Sequence, residues 1–379
     1  MEPIYLDHAA TTPVHRDVVA AMYPMYENLY GNPSSIHSFG RKARQLIDEA
    51  RHVMAKSIQA DEKEIIFTSS GTEADNMAFI GTALANKEKG NHIITSVQEH
   101  HAVLHAAEYL EENGFNVTYL PVDHTGRISL EALQAALTDD TILVSIMFAN
   151  NETGVIQPIK EIGNILNSHQ AIFHTDAVQA YGLLPIDVTS LGIDLLSVSA
   201  HKINGPKGIG FLYVNKRVHV QPLAFGGEQE RKRRPGTENV VSMIGFQKAV
   251  EIMLDQREKR NQTYAHYKEL FINRLRALEV PFKINGAESQ TLNSIVNISF
   301  PGTNVEALLT NFDLNGIAAS SGSACTAGSV EPSHVLAAMF GQDEACTNSV
   351  RFSFGLNNTE ENIVDAANRV AKIVNRIVK

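Results

Sequence analysis

Short apolar runs alternate along this chain with stretches whose apolar residues recur every three to four positions, and that alternation leaves few folds open. The runs at 65–67, 92–95, 116–120 and 141–148 have strand length, whereas Ala43, Leu46, Ile47, Ala50 and Met54 follow the helical period. From Ile142 to Phe148 the sequence is apolar almost throughout, as expected of a strand covered on both faces. Further runs at 171–175, 195–199 and 210–214 keep the same rhythm. Strand and helix alternating in this way predict an α/β domain built on a mainly parallel sheet.

The pattern changes from about residue 238 to 278. Val241, Ile244, Ala249, Ile252 and Met253 fall on one side of a long helix, and Glu258, Lys259 and Arg260 interrupt its apolar character, so a break is allowed there. After it come a strand at 294–300, helices near 305–311 and 332–340, a strand at 349–354 and a terminal helix from Thr359. This mixed order predicts a smaller α+β domain. The chain has 379 residues, too many for one simple core. The expected division is a large domain at 15–255 and a small one made of 1–14 and 256–379.

Composition narrows the function classes. A formal net charge of -10 argues against a general binder of nucleic acid or of membrane surfaces. The N-terminal residues carry no basic segment followed by an apolar one, and no run approaches the roughly 18 apolar residues of a membrane span. Two cysteines make no disulfide framework and fit a reducing compartment. The expectation is a cytoplasmic enzyme without a membrane or nucleic-acid partner.

Five segments carry chemistry. In the first, the apolar run ending at Phe67 leads into Thr68, Ser69, Ser70, Gly71 and Thr72 and then opens a helix. Free N–H groups and the helix dipole there suit a phosphate, while an ordinary turn capped by Thr72 explains the same letters. The second pairs Asp176, at the end of an apolar run, with Lys202, which follows Ser199, Ala200 and His201 at the end of another. Ligands of open α/β sheets collect at such strand ends. A lysine that can form a Schiff base and a carboxylate that can hold a pyridine nitrogen protonated are the minimum a pyridoxal-phosphate enzyme requires. A surface lysine and a helix-capping aspartate are the plainer alternative.

The third segment is Glu99, His100 and His101, where an imidazole can stack on a planar cofactor or move protons, or serve the structure alone. Its spacing matches no metal motif, and no metal is expected. In the fourth, Cys325 lies within twelve residues, 318–329, of almost nothing but Ala, Ser, Gly and Thr. Such a stretch is expected to be exposed and mobile, a setting that suits a nucleophilic thiolate. Cys346 has no such setting and is taken as structural or incidental. The fifth is Arg351, whose charge among apolar strand neighbours needs a specific partner: a substrate carboxylate or a structural ion pair.

Together these segments resemble the cysteine desulfurases of the NifS/IscS group, fold-type I pyridoxal-phosphate enzymes. The resemblance runs nearly end to end, from Tyr5, Leu6, Asp7, His8, Ala9, Ala10, Thr11, Thr12 and Pro13 to the last helix. Its most specific pieces are Ser199-Ala200-His201-Lys202 with Gly205-Pro206-Lys207-Gly208, and Ser320-Ser321-Gly322-Ser323-Ala324-Cys325. It implies a mainly parallel seven-stranded sheet in the large domain and pyridoxal 5'-phosphate as cofactor. Lys202 would carry the cofactor and act as base at the substrate Cα. Asp176 would pair with the ring nitrogen, Gln179 and Asn151 would sit near the phenolic oxygen, and His100 would stack on the ring and relay protons. Thr72, Ser199 and His201 would bind the phosphate, and Thr237 would reach the phosphate of a neighbouring subunit, implying a homodimer. Arg351, assisted by Asn151, would hold the carboxylate of L-cysteine, and Cys325 would receive its sulfur as a persulfide while alanine leaves.

The sulfur acceptor is expected to be an iron–sulfur scaffold or a tRNA-thiolating enzyme. The chain stops at Lys379, without the C-terminal tail that the resemblance associates with scaffold docking. The basic run Arg231-Lys232-Arg233-Arg234 is read as a solvated loop beside the subunit interface. The competing readings are a selenocysteine lyase, another aminotransferase-like enzyme, and a non-catalytic sulfur-relay protein.

Overall fold

The computed structural model describes residues 2–322 and 332–378. A short strand, β1 (Ile4–Tyr5), opens the chain. The large sheet is then built from β2 (Ile65–Thr68), β3 (His92–Ser96), β4 (Asn116–Leu120), β5 (Thr141–Ser145), β6 (Ile172–Asp176), β7 (Leu195–Ser199) and β8 (Gly210–Val214). Their spatial order is β2-β8-β7-β6-β5-β3-β4. Strand β8 runs against both its neighbours and the other pairings are parallel. The α/β class and the mainly parallel seven-stranded sheet are thus as the sequence predicts.

All five residues of β5 are buried, which is why its sequence carries no polar alternation. The strand ends at Ser145, three residues short of the predicted run. Ile146 and Phe148 stay buried and still donate their N–H groups to the His174 and Asp176 carbonyls of β6. The apolar letters record burial there, not two-sided pairing.

The predicted long helix is unbroken. It spans Val240–Ala277, 38 residues, or about 57 Å at 1.5 Å per residue. Phe246, Ala249, Val250 and Met253 on its first half enter the core under the large sheet. Tyr264, Phe271, Ile272 and Leu275 on its second half enter a separate core. Glu258 and Lys259 are exposed where the helix passes between the two cores, so their charge meets water and no break is needed.

The second core lies on a small antiparallel sheet. Its strands are β9 (Lys283–Asn285), β10 (Ile295–Ser299) and, after a short strand β11 (Ile317–Ala318), β12 (Ser349–Ser353), in the order β12-β10-β9. Strand β11 pairs in parallel with β1, which carries the N-terminal residues Ile4 and Leu6 into this core. Phe271, Phe352 and Phe354 pack as an aromatic cluster, with Phe271 and Phe352 centroids 4.8 Å apart. The terminal helix Glu360–Val378 closes the core with Ile363, Ala366, Ala367, Val370 and Val374. The helix predicted at 332–340 starts at His334, because Ser333 caps it by accepting the Leu336 N–H at 3.1 Å. No helix among the described residues is long and apolar enough to cross a membrane.

Candidate active site

The C-terminal ends of β6 and β7 open into a cleft of about 270 Å³. Thr72, His100, Asn151, Asp176, Gln179, Ser199, His201, Lys202 and Arg351 all line it. Thr237 does not; it is exposed on the loop before the long helix. Cys325, with the exposure and mobility expected of its segment, lies outside the described residues. Ser321 and Gly322, just before that segment, do line the cleft.

The turn after β2 forms one wall. Ser70, not Thr72, caps the following helix, accepting the Glu73 N–H at 3.1 Å. A Cβ on Gly71 would fall 2.7 Å from Val178 Cγ2, so glycine is what lets this turn approach the loop after β6. The helix begins at Gly71–Asn76 and continues through a π-helical turn, Met77–Gly81, to Thr82–Asn86.

Asp176 forms the floor at the end of β6, 7% exposed and open only toward the cleft. Burial raises its pKa to about 6, against the opposing Val178 N–H, 2.8 Å from Oδ1, and the charge of Lys202. The layer behind it is driven neutral. Asp75 is pushed well above the carboxylate range by burial and then by the charge of Asp176. His174, held between the Ser145 hydroxyl at 2.8 Å and the Ser197 hydroxyl at 3.0 Å, is lowered to about 3 by burial. Asp176 is therefore the carboxylate of this layer that a cationic group in the cleft would find ionised.

Lys202 lies in the 3₁₀ turn Ala200–Lys202, three residues beyond the end of β7 and not on the strand. Its Nζ donates to the Ala9 and Ala10 carbonyls at 2.5 and 2.8 Å. Gln179 Nε2 donates to the same Ala9 carbonyl at 2.9 Å, fixing the N-terminal segment across the lysine. His100 caps the helix His101–Glu112, its Nδ1 accepting the Ala102 N–H at 3.1 Å. Burial and the nearby cationic groups lower its pKa to about 4. The ring is thus neutral with its proton on Nε2. His201, with Nδ1 3.1 Å from the Thr11 hydroxyl, is likewise lowered to about 4 by burial and the charges of Lys202 and Lys207.

Arg351, in the middle of β12 and 5% exposed, has the ion-pair partner that the sequence left open. Its Nη2 lies 2.9 Å from Asp7, and Nη1 donates to the Asn151 carbonyl at 2.9 Å. Its Nε is buried without a hydrogen bond. Asp7 also accepts the Ser320 hydroxyl at 2.7 Å. Sequence reasoning missed Asp7 because nothing in its local pattern marks a residue that pairs 344 positions away. Glu152 was also missed: buried, it accepts the Ser333 hydroxyl at 2.5 Å and packs against the backbone of Gly322. Cys346 packs partly buried beside Val335, Leu336 and Met339, and burial raises its pKa, which suits a structural thiol.

The donor set fits pyridoxal 5'-phosphate. A buried carboxylate at a strand end, a lysine facing it, a flat neutral imidazole and a turn kept close by glycine are what an anionic, aromatic cofactor with a protonated ring nitrogen needs. Residues 4–365 match the aminotransferase class-V family, and the chain belongs to it as a pyridoxal-phosphate-dependent enzyme. A Bacillus subtilis (strain 168) relative, IscS 1, is 57% identical over 378 residues and is covered completely, as is this chain. The cysteine desulfurase IscS of Methanosarcina thermophila is 50% identical over 99% of this chain and 92% of its own length. The solved structure of a NifS-like protein superposes with a TM-score of 0.92 at 34% identity, covering 99% of this chain and all of that one. Within the family the chain falls among the cysteine desulfurases of the IscS/NifS type.

Proposed function

We propose that the cleft takes sulfur from L-cysteine, with Lys202 as the cofactor-bearing lysine and Cys325 as the first sulfur acceptor. The observation that carries this reading is the convergence of Asp176, Lys202 and Arg351, from β6, the turn after β7 and β12, on one cleft. When bound, pyridoxal 5'-phosphate supplies an electron sink for the charge released at the substrate Cα. Asp176 would hold its ring nitrogen protonated, and His100, with Nδ1 taken by the Ala102 N–H, would offer it a neutral imidazole and an Nε2 proton. Asn151 and Gln179 serve the phenolic-oxygen side. Thr72, Ser199 and His201 would hold the phosphate, and Thr237 would do so from a neighbouring subunit.

Arg351 receives the substrate carboxylate, using donors that Asp7 and the Asn151 carbonyl leave over. Lys202 removes the Cα proton and returns one. The Cys325 thiolate attacks the substrate sulfur. The new S–S bond forms as the C–S bond breaks, and the electron pair stays with the three-carbon fragment, which takes up protons to become L-alanine.

The persulfide is passed to an iron–sulfur scaffold or a tRNA-thiolating enzyme. A cytoplasmic setting suits this chemistry, since Cys325 must stay a free thiol to accept sulfur and two cysteines make no disulfide framework. The active form is a homodimer, a reading supported by the exposed Tyr23, Tyr26, Tyr30 and Ile36 and by exposed Thr237. Separate cores under the two sheets, with Leu6 in the small one and Val18 in the large one, support a large domain at 15–255 and a small one of 1–14 and 256–379, the chain having already entered the large core at Ala9.

Replacing Cys325 with alanine tests the assignment. Cofactor content should stay at the parental level while alanine release from L-cysteine falls by at least about a hundredfold. Undiminished alanine release would remove Cys325 from the mechanism.

A further inference from the structure

Behind Lys202, on the side away from the cleft, lies a narrow chamber of about 50 Å³. Its polar lining includes His8, Thr12, Gln179, Lys202, Arg260 and Ser353. Ala9, Gln179 and Lys202 line both this chamber and the cleft, so they form the wall between them. His8 is 6% exposed, and neither of its ring nitrogens has a partner of good hydrogen-bond geometry, the Tyr5 backbone and the Asn358 side chain reaching it only marginally. The ring is closely held. Its centroid lies 4.9 Å from that of Tyr5, edge to face, and a Cβ on Gly355 would fall 2.3 Å from Nδ1. Glycine at 355 therefore makes room for this imidazole.

Burial lowers the His8 pKa to about 4, with Asp7, the Tyr5 backbone and Asn358 opposing. The titratable and charged groups around it are Tyr5 and Asp7 on its own segment and Lys202, Tyr181, Arg260 and Tyr264 across the chamber. Asp7 is paired with Arg351. A neutral imidazole offers one donor and one acceptor. Both are buried here, and burying them unmet is unfavourable. A water needs roughly 10–15 Å³ of such space and two to four polar partners, so the chamber has room for about three to five. The cationic Lys202 and Arg260 argue against a metal ion there.

We propose that this chamber holds a short file of ordered water, anchored by His8, through which Lys202 exchanges protons while the cleft is closed by substrate. This rests on the proton-transfer role assigned to Lys202 above. A ring that stays neutral does not store the proton. Instead it orients the waters that solvate the Lys202 ammonium and pass its proton on, which makes His8 a positioning residue.

The test uses the holoenzyme with His8→Phe, which keeps the ring's bulk but loses both nitrogens, and His8→Gln, which restores a donor and an acceptor. High-resolution crystals of the parent should show ordered waters within hydrogen-bond distance of His8 and leading to Lys202, and His8→Phe should lose them. In His8→Phe, kcat should fall about tenfold with KM for L-cysteine within about twofold. The limb of the pH profile belonging to Lys202 should move to lower pH by about one unit, because a less solvated ammonium loses its proton more readily. His8→Gln should recover both. A dry chamber in the parent overturns the proposal, whether or not the variants fold. So does an unchanged rate and profile in a folded His8→Phe. Failure of the desulfurase reading would show separately, as a parent holoenzyme that releases no alanine while the chamber waters stand or fall on their own.

Discussion

Glu99 shows how much a single side chain can depend on what surrounds it. Its Oε1 accepts the Ser96 hydroxyl at 2.6 Å and the Met147 N–H at 3.0 Å, while Oε2 is buried with no partner. Burial pushes its pKa up to about 8. Between its unfolded value near 4.5 and about 8, the folded state binds the extra proton. Its contribution to stability is therefore greatest at low pH and declines as pH rises through that window. Glu99→Gln keeps the shape and the acceptor at Oε1 and cannot ionise. Thermal unfolding should place it within about 1 kcal/mol of the parent at pH 6 and above the parent in Tm at pH 9. The sequence marked Glu99 only as a neighbour of His100. Its raised pKa follows from burial in the fold, which outweighs the Ser96 hydroxyl and the Met147 N–H. Asp176 and Lys202 were readable, because strand-end chemistry leaves a local signature. Asp7 was not, because its partner Arg351 lies 344 residues away, and neither was His8, which is enclosed by Gly355 at the far end of the chain.

At the scale of elements, the turn from β2 into its helix carries a strict packing requirement. Gly71→Ala would set a methyl 2.7 Å from Val178 Cγ2. The expected cost is about 1–3 kcal/mol in chemical denaturation, as for overpacking generally, with weaker cofactor retention. A Val178→Ala partner substitution should recover most of both by vacating the contested space. The long helix was legible because its first half keeps the helical period through Met253 and no Gly or Pro interrupts the residues that follow, and the charges at its middle coincide with the passage between two cores. Strand β9 was not legible. Lys283 and Ile284 are exposed and only Asn285 is buried, so no alternation identifies it. Asn285 is placed by side-chain hydrogen bonds to Asn297 and Ser349, both at 2.8 Å, partners supplied by β10 and β12.

At the scale of the whole molecule, several large side chains lie in water near the start of the chain. Tyr26 is 69% exposed and Ile36 is 91% exposed, with Tyr23 and Tyr30 between half and fully exposed nearby. A homodimer would cover such a surface. Sedimentation of the holoenzyme at micromolar concentration should give twice the mass of one chain, and joint replacement of Tyr26 and Ile36 by glutamate should shift it toward one. A parent that sediments as a monomer would remove the homodimer and the cross-subunit role of Thr237 with it.

The sequence by itself determined the α/β class, the strands whose burial on both faces leaves them apolar, and the Asp176 and Lys202 pair. Those features depend on local period or on position at the end of a run. Tertiary structure alone decided that Arg351 meets Asp7, that Lys202 rests on the carbonyls of Ala9 and Ala10, and that His8 is buried beside it without a partner of good hydrogen-bond geometry. Each joins the N-terminal segment to residues some two to three hundred and fifty positions later, and no local pattern encodes a contact that only chain closure creates.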